Sequence, residues 1–261
     1  MKLLFLGDIV GEPGRKLVIS KVPELKKELS LDFIVANGEN AAGGRGITPK
    51  IAIDLMRSGI SVLTMGDHVW DQPDLIPWLT EEPRIIRPLN YPKGTPGGGS
   101  VTIPSDFGPI SVIQVQGRTF IQPPLENPFL AVSEEVDRLK EQGVRIIFVD
   151  IHAETTSEKI AMGRFLDGRV SAVVGTHTHV QTADDVVLPG GTAYLTDAGM
   201  CGPINGVLGR DITSIIERFL TSMPRKFPVA KGPSMLNGVI IEIDETTGKA
   251  ISIERYCYKE E

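Results

Sequence analysis

The sequence is short of the residues that would define several common classes of protein. It holds two cysteines, Cys201 and Cys257, in 261 residues and in no paired spacing. That excludes a disulfide framework and fits a reducing cytoplasm, the location expected here. No apolar run approaches the ~20 residues of a membrane span. Met1-Lys2 leads straight into a strand-like run too short for a signal-peptide core, so no membrane partner is expected. Positive charge is scarce as well. Against 33 acidic residues there are 27 basic ones, for a net charge of −6. A broad basic face for long nucleic acid is therefore not expected, although a small anion remains acceptable wherever bound metal supplies local charge. Internal repeats, heptads and low-complexity tails are absent. With 41% hydrophobic residues the chain can bury a full core, and residues 1–261 are read as one domain.

What is present is an alternation. Lys2–Leu6 is strand-like and ends at Gly7-Asp8; a helix follows from about Pro13, with Val18, Val22, Leu25 and Leu29 as its apolar stripe. Phe33–Ala36 is a second strand, ending at Gly38-Glu39-Asn40. Thr48-Pro49 is an N-cap and first-turn pair that opens a helix to about Ser58. Ile60–Thr64 is a third strand, ending at Gly66-Asp67-His68. This order predicts an α/β fold, a parallel sheet with helices on both faces.

Between about residues 82 and 128 prolines and glycines are dense and the rhythm breaks. Two β runs, Ser100–Ile103 and Ile110–Val115, read as an antiparallel excursion, a small cap-like insertion over the active edge. The Gly97-Gly98-Gly99 run is followed by neither Lys-Ser/Thr nor a helix, so it is a turn rather than a phosphate loop. Alternation then resumes with a helix near Val132–Lys140, a strand Arg145–Val149 ending at Asp150-Ile151-His152, and a helix Ser157–Leu166. The strand Ser171–Val174 ends at His177-Thr178-His179. Strand runs Val186–Leu188 and Thr192–Leu195, a loop Thr196–Gly206 and a helix Ile212–Thr221 follow, and Asn237–Ile243 with Ala250–Tyr256 resemble a hairpin.

The four histidines of the chain, His68, His152, His177 and His179, all fall at or just beyond strand ends. In an open α/β sheet that edge is where ligands bind. A lone Asp or Asn after a strand is a turn former or cap. Five strand ends carrying Asp8, Glu39-Asn40, Asp67-His68, His152 and His177/His179 are hard to attribute to caps. They are expected to line one edge of one sheet. Imidazole and carboxylate donors without thiolate suit manganese, iron or zinc and not calcium. With the Asn40 amide, eight candidate ligating groups exceed the needs of one tetrahedral zinc and point to two metal ions.

The ordered set Gly7-Asp8, Gly38-Glu39-Asn40, Gly66-Asp67-His68, His152 and Thr176-His177-Thr178-His179 resembles the calcineurin-like metallophosphoesterase superfamily. More closely it resembles the YmdB-like bacterial branch, which acts on cyclic nucleotides. Glu39-Asn40-Ala41-Ala42-Gly43-Gly44, Arg87-Pro88-Leu89-Asn90-Tyr91, the stretch from His152 to Lys159, and Thr196-Asp197-Ala198-Gly199 support it, over nearly the whole chain. The resemblance implies an αββα sandwich with the metal site at the C-terminal ends of the strands. It implies one metal held by Asp8, Glu39, Asn40 and His179 and a second by Glu39, Asp67, His152 and His177, with Glu39 shared. His68 would be the general acid. The implied cofactors are two divalent or mixed-valence ions, iron or manganese, with zinc an alternative. The implied reaction is hydrolysis of a small phosphodiester, such as a 2′,3′- or 3′,5′-cyclic nucleotide, by a metal-bridging hydroxide, and a homo-oligomer is the expected assembly. Two departures stand out. The usual Asp-x-His after the first strand is Asp8-Ile9-Val10, a loss shared with this branch, and Asp67 stands where the family usually has Asn.

Asp150, Glu154 and Asp197 are candidates for orienting the ligand imidazoles. Three other readings compete. An amidohydrolase would carry its His-x-His on the first strand, which here offers Asp8 alone. A regulatory nucleotide- or RNA-associated protein with little turnover would use the site as a sensor. A Cys201 nucleophile would need a base, and the histidines are already committed.

Overall fold

A computed structural model describes residues 1–261. Two sheets lie face to face, each covered on its outer face by helices. In the first, Lys2–Leu6, Phe33–Asn37, Val62–Thr64 and Ile85–Ile86 run parallel in that order. The C-terminal hairpin Ser234–Ile243 and Ala250–Lys259 extends it antiparallel from the first strand. In the second, Ile110–Gln116, Ile146–His152, Ala172–Thr176 and Ala193–Leu195 run parallel. Ser100–Ile103 and Val186–Val187 close its edges antiparallel.

Strands that bury both faces carry continuous apolar runs, and the alternation of side chains sorts each run between two layers. Leu3 and Phe5 enter the core between the sheets together with Phe33, Val35, Val112, Phe148 and Val174. The Phe5 and Phe148 rings meet there at 4.9 Å. Leu4 and Leu6 face the other way, against the helices Gly11–Glu28 and Pro49–Arg57. Thr48 caps the second of these by accepting from the Ile51 amide, as the Thr-Pro pair predicts. The outer face of the second sheet packs on Pro128–Glu141 and Thr156–Phe165 in the same manner. The αββα layering is thus present.

Three expectations change. The strand ends do not line one sheet: the carboxylate-bearing ends belong to the first sheet and those leading to His152 and His177 to the second. Local pattern cannot tell which sheet a wholly apolar strand joins, because every parallel strand reads alike. The β runs of residues 82–128 do pair antiparallel, Ser100 with Ile113 through Ile103 with Ile110. However, Ile110–Gln116 is also hydrogen-bonded to Ile146–His152 along its length, and Ile85–Ile86 joins the first sheet. These runs are built into the sandwich instead of standing over it as a cap. The stretch read as a loop from Thr196 contains a strand, Met200–Pro203, paired to Asp8–Ile9 and to the hairpin. Its Gly and Pro, residues that ordinarily weaken a strand reading, hid it.

Candidate metal centre

The C-terminal ends of the two parallel strand sets meet at one place, and the two sheets bring different chemistry to it. From the first come Asp8, Glu39, Asn40, Asp67 and His68. From the second come His152, and His177 and His179 on the loop after Ala172–Thr176. Glu39, Asp67, His152 and His177 each aim one donor atom into a single cluster, all within 4.8 Å of one another. His152 Nε2 lies 3.0 Å from Asp67 Oδ1 and 3.2 Å from Glu39 Oε1, and His177 Nδ1 lies 3.0 Å from His152 Nε2. A Cβ at Gly66 would collide with both the Glu39 carboxylate and the His152 ring, so glycine is needed for this close approach.

Beside the cluster is a second set of donors. His179 Nε2 is 3.1 Å from Asn40 Oδ1 and 3.8 Å from Asp8 Oδ1. Asn40 donates from Nδ2 to the Gly44 carbonyl, which leaves its oxygen facing the histidine. His177 N–H donates to Asp8 Oδ2, while Asp8 Oδ1 is buried and has no hydrogen-bond partner. A buried carboxylate oxygen without a donor is costly, and a cation is the natural partner for it.

Each ring is fixed by what its far nitrogen touches. His179 Nδ1 is 3.2 Å from the Leu208 carbonyl, which can only accept, so Nδ1 carries the proton and Nε2 presents a lone pair. Thr176 Oγ1 donates to Asp150 and lies 2.9 Å from His152 Nδ1, which donates to it in turn and again leaves Nε2 free. His177 turns Nε2 to Glu154 at 3.1 Å and Nδ1 to the cluster. Burial opposes a charge on His152, yet Glu39 and Asp67 outweigh it and raise its pKa well above the ordinary value. Burial would likewise raise the Asp67 pKa, but the His152 and His177 rings beside its carboxylate hold it well below the usual carboxylate range. Both shifts say that a positive charge is favoured between these groups, so the donor set fits a metal cation.

Of the three carboxylates expected to orient the rings, Glu154 touches one directly and Asp150 acts through Thr176. Asp150 also accepts from Thr64 and Asn37, and burial pushes its carboxyl up to about 7. Asp197 touches no ring. It accepts from the Thr178 amide and hydroxyl and pairs with Lys159 at 2.7 Å, both side chains fully buried. That bracing is needed because His177 and His179 sit at φ 98° and 63°, left-handed conformations that cost non-glycine residues about 1–3 kcal/mol each.

His68 stands off the cluster. Its Nδ1 is 3.2 Å from Asp71, which is itself paired with Arg45. Asp71 escaped the sequence reading although it lies three residues on in the same turn. Also unforeseen were Leu208 and Arg210, neither of which belongs to a strand-end motif; Thr176 stands in one, but its part in holding the His152 ring was not foreseen. Cys201 is buried, its thiol donates to the Asn237 carbonyl, and burial pushes its pKa up, which removes it as a nucleophile.

Two face-to-face sheets, flanked by helices and carrying His, Asp, Glu and Asn at converging strand ends, define the calcineurin-like metallophosphoesterase fold. A 5′-nucleotidase precursor of Thermus thermophilus shares that fold at 12% identity and TM-score 0.60, over 98% of this chain and 54% of its own. A phosphatase of Mycoplasma pneumoniae superposes far more closely, at TM-score 0.93 and 34% identity, over 99% of this chain and 93% of that one. The model of the family described as YmdB-like protein matches residues 4–256, and the chain belongs to that family. The 2′,3′-cyclic-nucleotide 2′-phosphodiesterase of Bacillus subtilis (strain 168) is 50% identical over 255 residues, covering 98% of this chain and 96% of that protein.

Proposed function

We propose that this protein is a metal-dependent phosphodiesterase that hydrolyses 2′,3′-cyclic nucleotides at the 2′ bond. The observation that carries the reading is one cavity of about 260 Å³ in which Glu39, Asn40, His177 and His179 share a wall with His68. The B. subtilis relative, similar over nearly its whole length, supplies the substrate class. Asp8, Glu39, Asn40 and His179 would hold one metal, and Glu39, Asp67, His152 and His177 a second. Bound there, divalent iron or manganese, or zinc, would offset the charge of the phosphodiester and make water a nucleophile near neutral pH.

The chain's own residues do the rest. The reaction forms a phosphorus–oxygen bond to water and breaks the bond to the ribose 2′ oxygen, which must leave with a proton. His68 would give that proton; in support, it lines the cavity and Asp71 lies 3.2 Å from its Nδ1. Thr176, Glu154 and the Leu208 carbonyl hold the three other rings in orientation, so that each keeps its other nitrogen aimed at the site. No helix is long and apolar enough to cross a membrane.

A panel of 2′,3′- and 3′,5′-cyclic nucleotides, assayed with manganese- and iron-loaded protein, tests the reading. Turnover of 2′,3′-cyclic substrates to 3′-nucleotides is expected. Binding without turnover would favour a nucleotide sensor instead.

A further inference from the structure

The cavity beside the metal centre has a second wall that the chemistry of phosphate hydrolysis does not use. It is formed by Val207, Leu208, Ile215 and Phe219, with Arg210 at its edge. The helix that supplies Ile215 and Phe219, Ile212–Thr221, is amphipathic yet buries none of its residues. Phe219 is 81% exposed and Leu208 44%. Scattered exposed apolar residues need no explanation, but a continuous apolar wall opening onto a catalytic cavity does.

This wall is also built with some strain. Leu208 sits at φ 52°, a left-handed conformation that a branched side chain adopts only when its surroundings impose it. Its carbonyl accepts a hydrogen bond from His179 Nδ1, so one residue both fixes a candidate metal ligand and turns its isobutyl group to the cavity. Gly209, at φ 80°, passes so close to Val10 and Met200 that a Cβ would crowd both. Asp211 caps the helix by accepting from the Ser214 amide. Arg210 donates to the carbonyls of Gly43, Gly44 and Phe227 and has no carboxylate partner, so its charge is not neutralised at the cavity rim.

We infer that the Val207–Leu208–Ile215–Phe219 wall is the nucleobase subsite, with Phe219 stacking on the base of a bound cyclic nucleotide. The inference rests on the cyclic-nucleotide reading above and adds to it a residue and a source of selectivity. The cavity joins metal-binding donors, which with metal bound would draw an anion, at one end to an apolar, aromatic surface at the other. A nucleoside phosphate has the same two ends. At about 260 Å³ the space lies near the lower limit of small-ligand pockets, ~300–1,000 Å³, and suits a single nucleotide. The apolar side chains of the wall offer no hydrogen bonds to a base edge. Recognition is therefore by the π-face that every base possesses, and the subsite tolerates all four bases.

The test compares substrates with and without a base. For Phe219→Ala, KM for 2′,3′-cyclic AMP should rise at least about fivefold, the lower end for loss of one stack, with kcat unchanged. KM for ribose 2,3-cyclic phosphate, which lacks the base, should not move, and Phe219→Trp should restore the nucleotide KM. The Trp variant also gives a readout without turnover: adenosine 3′-phosphate should quench the new indole and ribose 3-phosphate should not. Equal KM changes on both substrates, or no change on either, would overturn the subsite. Loss of an oligomer on sedimentation of Phe219→Ala, with no base-dependent change, would assign the wall to a second copy of the chain and also overturn it. If the protein turns over other diesters but no cyclic nucleotide, the substrate reading fails first, and quenching by adenosine 3′-phosphate still decides the stack.

Discussion

The two sheets bring unlike halves to the candidate metal centre. The first contributes the acids and the amide, Asp8, Glu39, Asn40 and Asp67, at the ends of strands or in the turns directly after them. Its donors are buried or nearly so and held by backbone, as in the Asn37 side chain accepting from the Glu39 amide. The second contributes the imidazoles, and two of these lie on a left-handed loop braced by the buried Lys159–Asp197 pair. Rigid carboxylates set the charge that a cation must meet. The imidazoles, each with its far nitrogen anchored, set its direction. Neither half is a binding site alone. The Phe5–Phe148 contact and the core around it close the sandwich and so assemble the site.

His68 breaks the division, since it is an imidazole supplied by the carboxylate sheet, and it is the one ring that neither metal-donor set includes. His68→Ala should retain its metals yet hydrolyse ordinary cyclic diesters ~10²–10⁴-fold more slowly. A nitrophenyl ester, whose leaving group needs no proton, should suffer much less. Steady-state kinetics on both substrates check this, and equal losses would remove His68 from the acid role.

The imidazole half is expected to fail through its brace. Lys159→Met leaves Asp197 buried without its cation, and breaking a buried pair costs about 3–5 kcal/mol. Urea unfolding should read that loss. A change below about 1 kcal/mol would show that the Thr178 and Gly199 donors satisfy Asp197 without the lysine.

The carboxylate half is sharpened by the smallest change, Asp67→Asn. With Asp8, Glu39 and Asp67 all ionised, three negative charges nearly cancel two divalent ions once a hydroxide is counted; an amide at position 67 restores one positive charge. Retention of the second metal should weaken several-fold while activity at saturating manganese rises, because a neutral oxygen leaves the metal a stronger Lewis acid. A manganese titration with a 2′,3′-cyclic nucleotide measures both. Unchanged affinity with unchanged or lower activity would refute the charge argument.

Much of this was legible in the sequence, for identifiable reasons. Apolar runs ending in Asp, Glu or His mark both the strands and their active ends, and the helix Ile212–Thr221 is found where its periodicity puts it. The partition of strands between two sheets was not legible, because Phe33–Asn37 and Ala172–Thr176 are equally apolar and their partners are set by long-range packing. Asp71 and Leu208 were missed because each acts through a contact across a turn or between loops, and the part of Thr176 because it acts across paired strands, beside His152. The exposure of Phe219 was illegible for a related reason: an amphipathic helix predicts an apolar face but not whether the fold covers it.

The central claim is the proposal that the two halves together hold two metal ions, with Glu39 shared between them. Elemental analysis after anaerobic reconstitution with manganese or iron tests it most directly. Close to two ions per chain are expected in the unaltered protein, about one in His179→Ala, and only traces in Glu39→Ala. Trace metal in the unaltered protein, or two ions retained by Glu39→Ala, would contradict the claim.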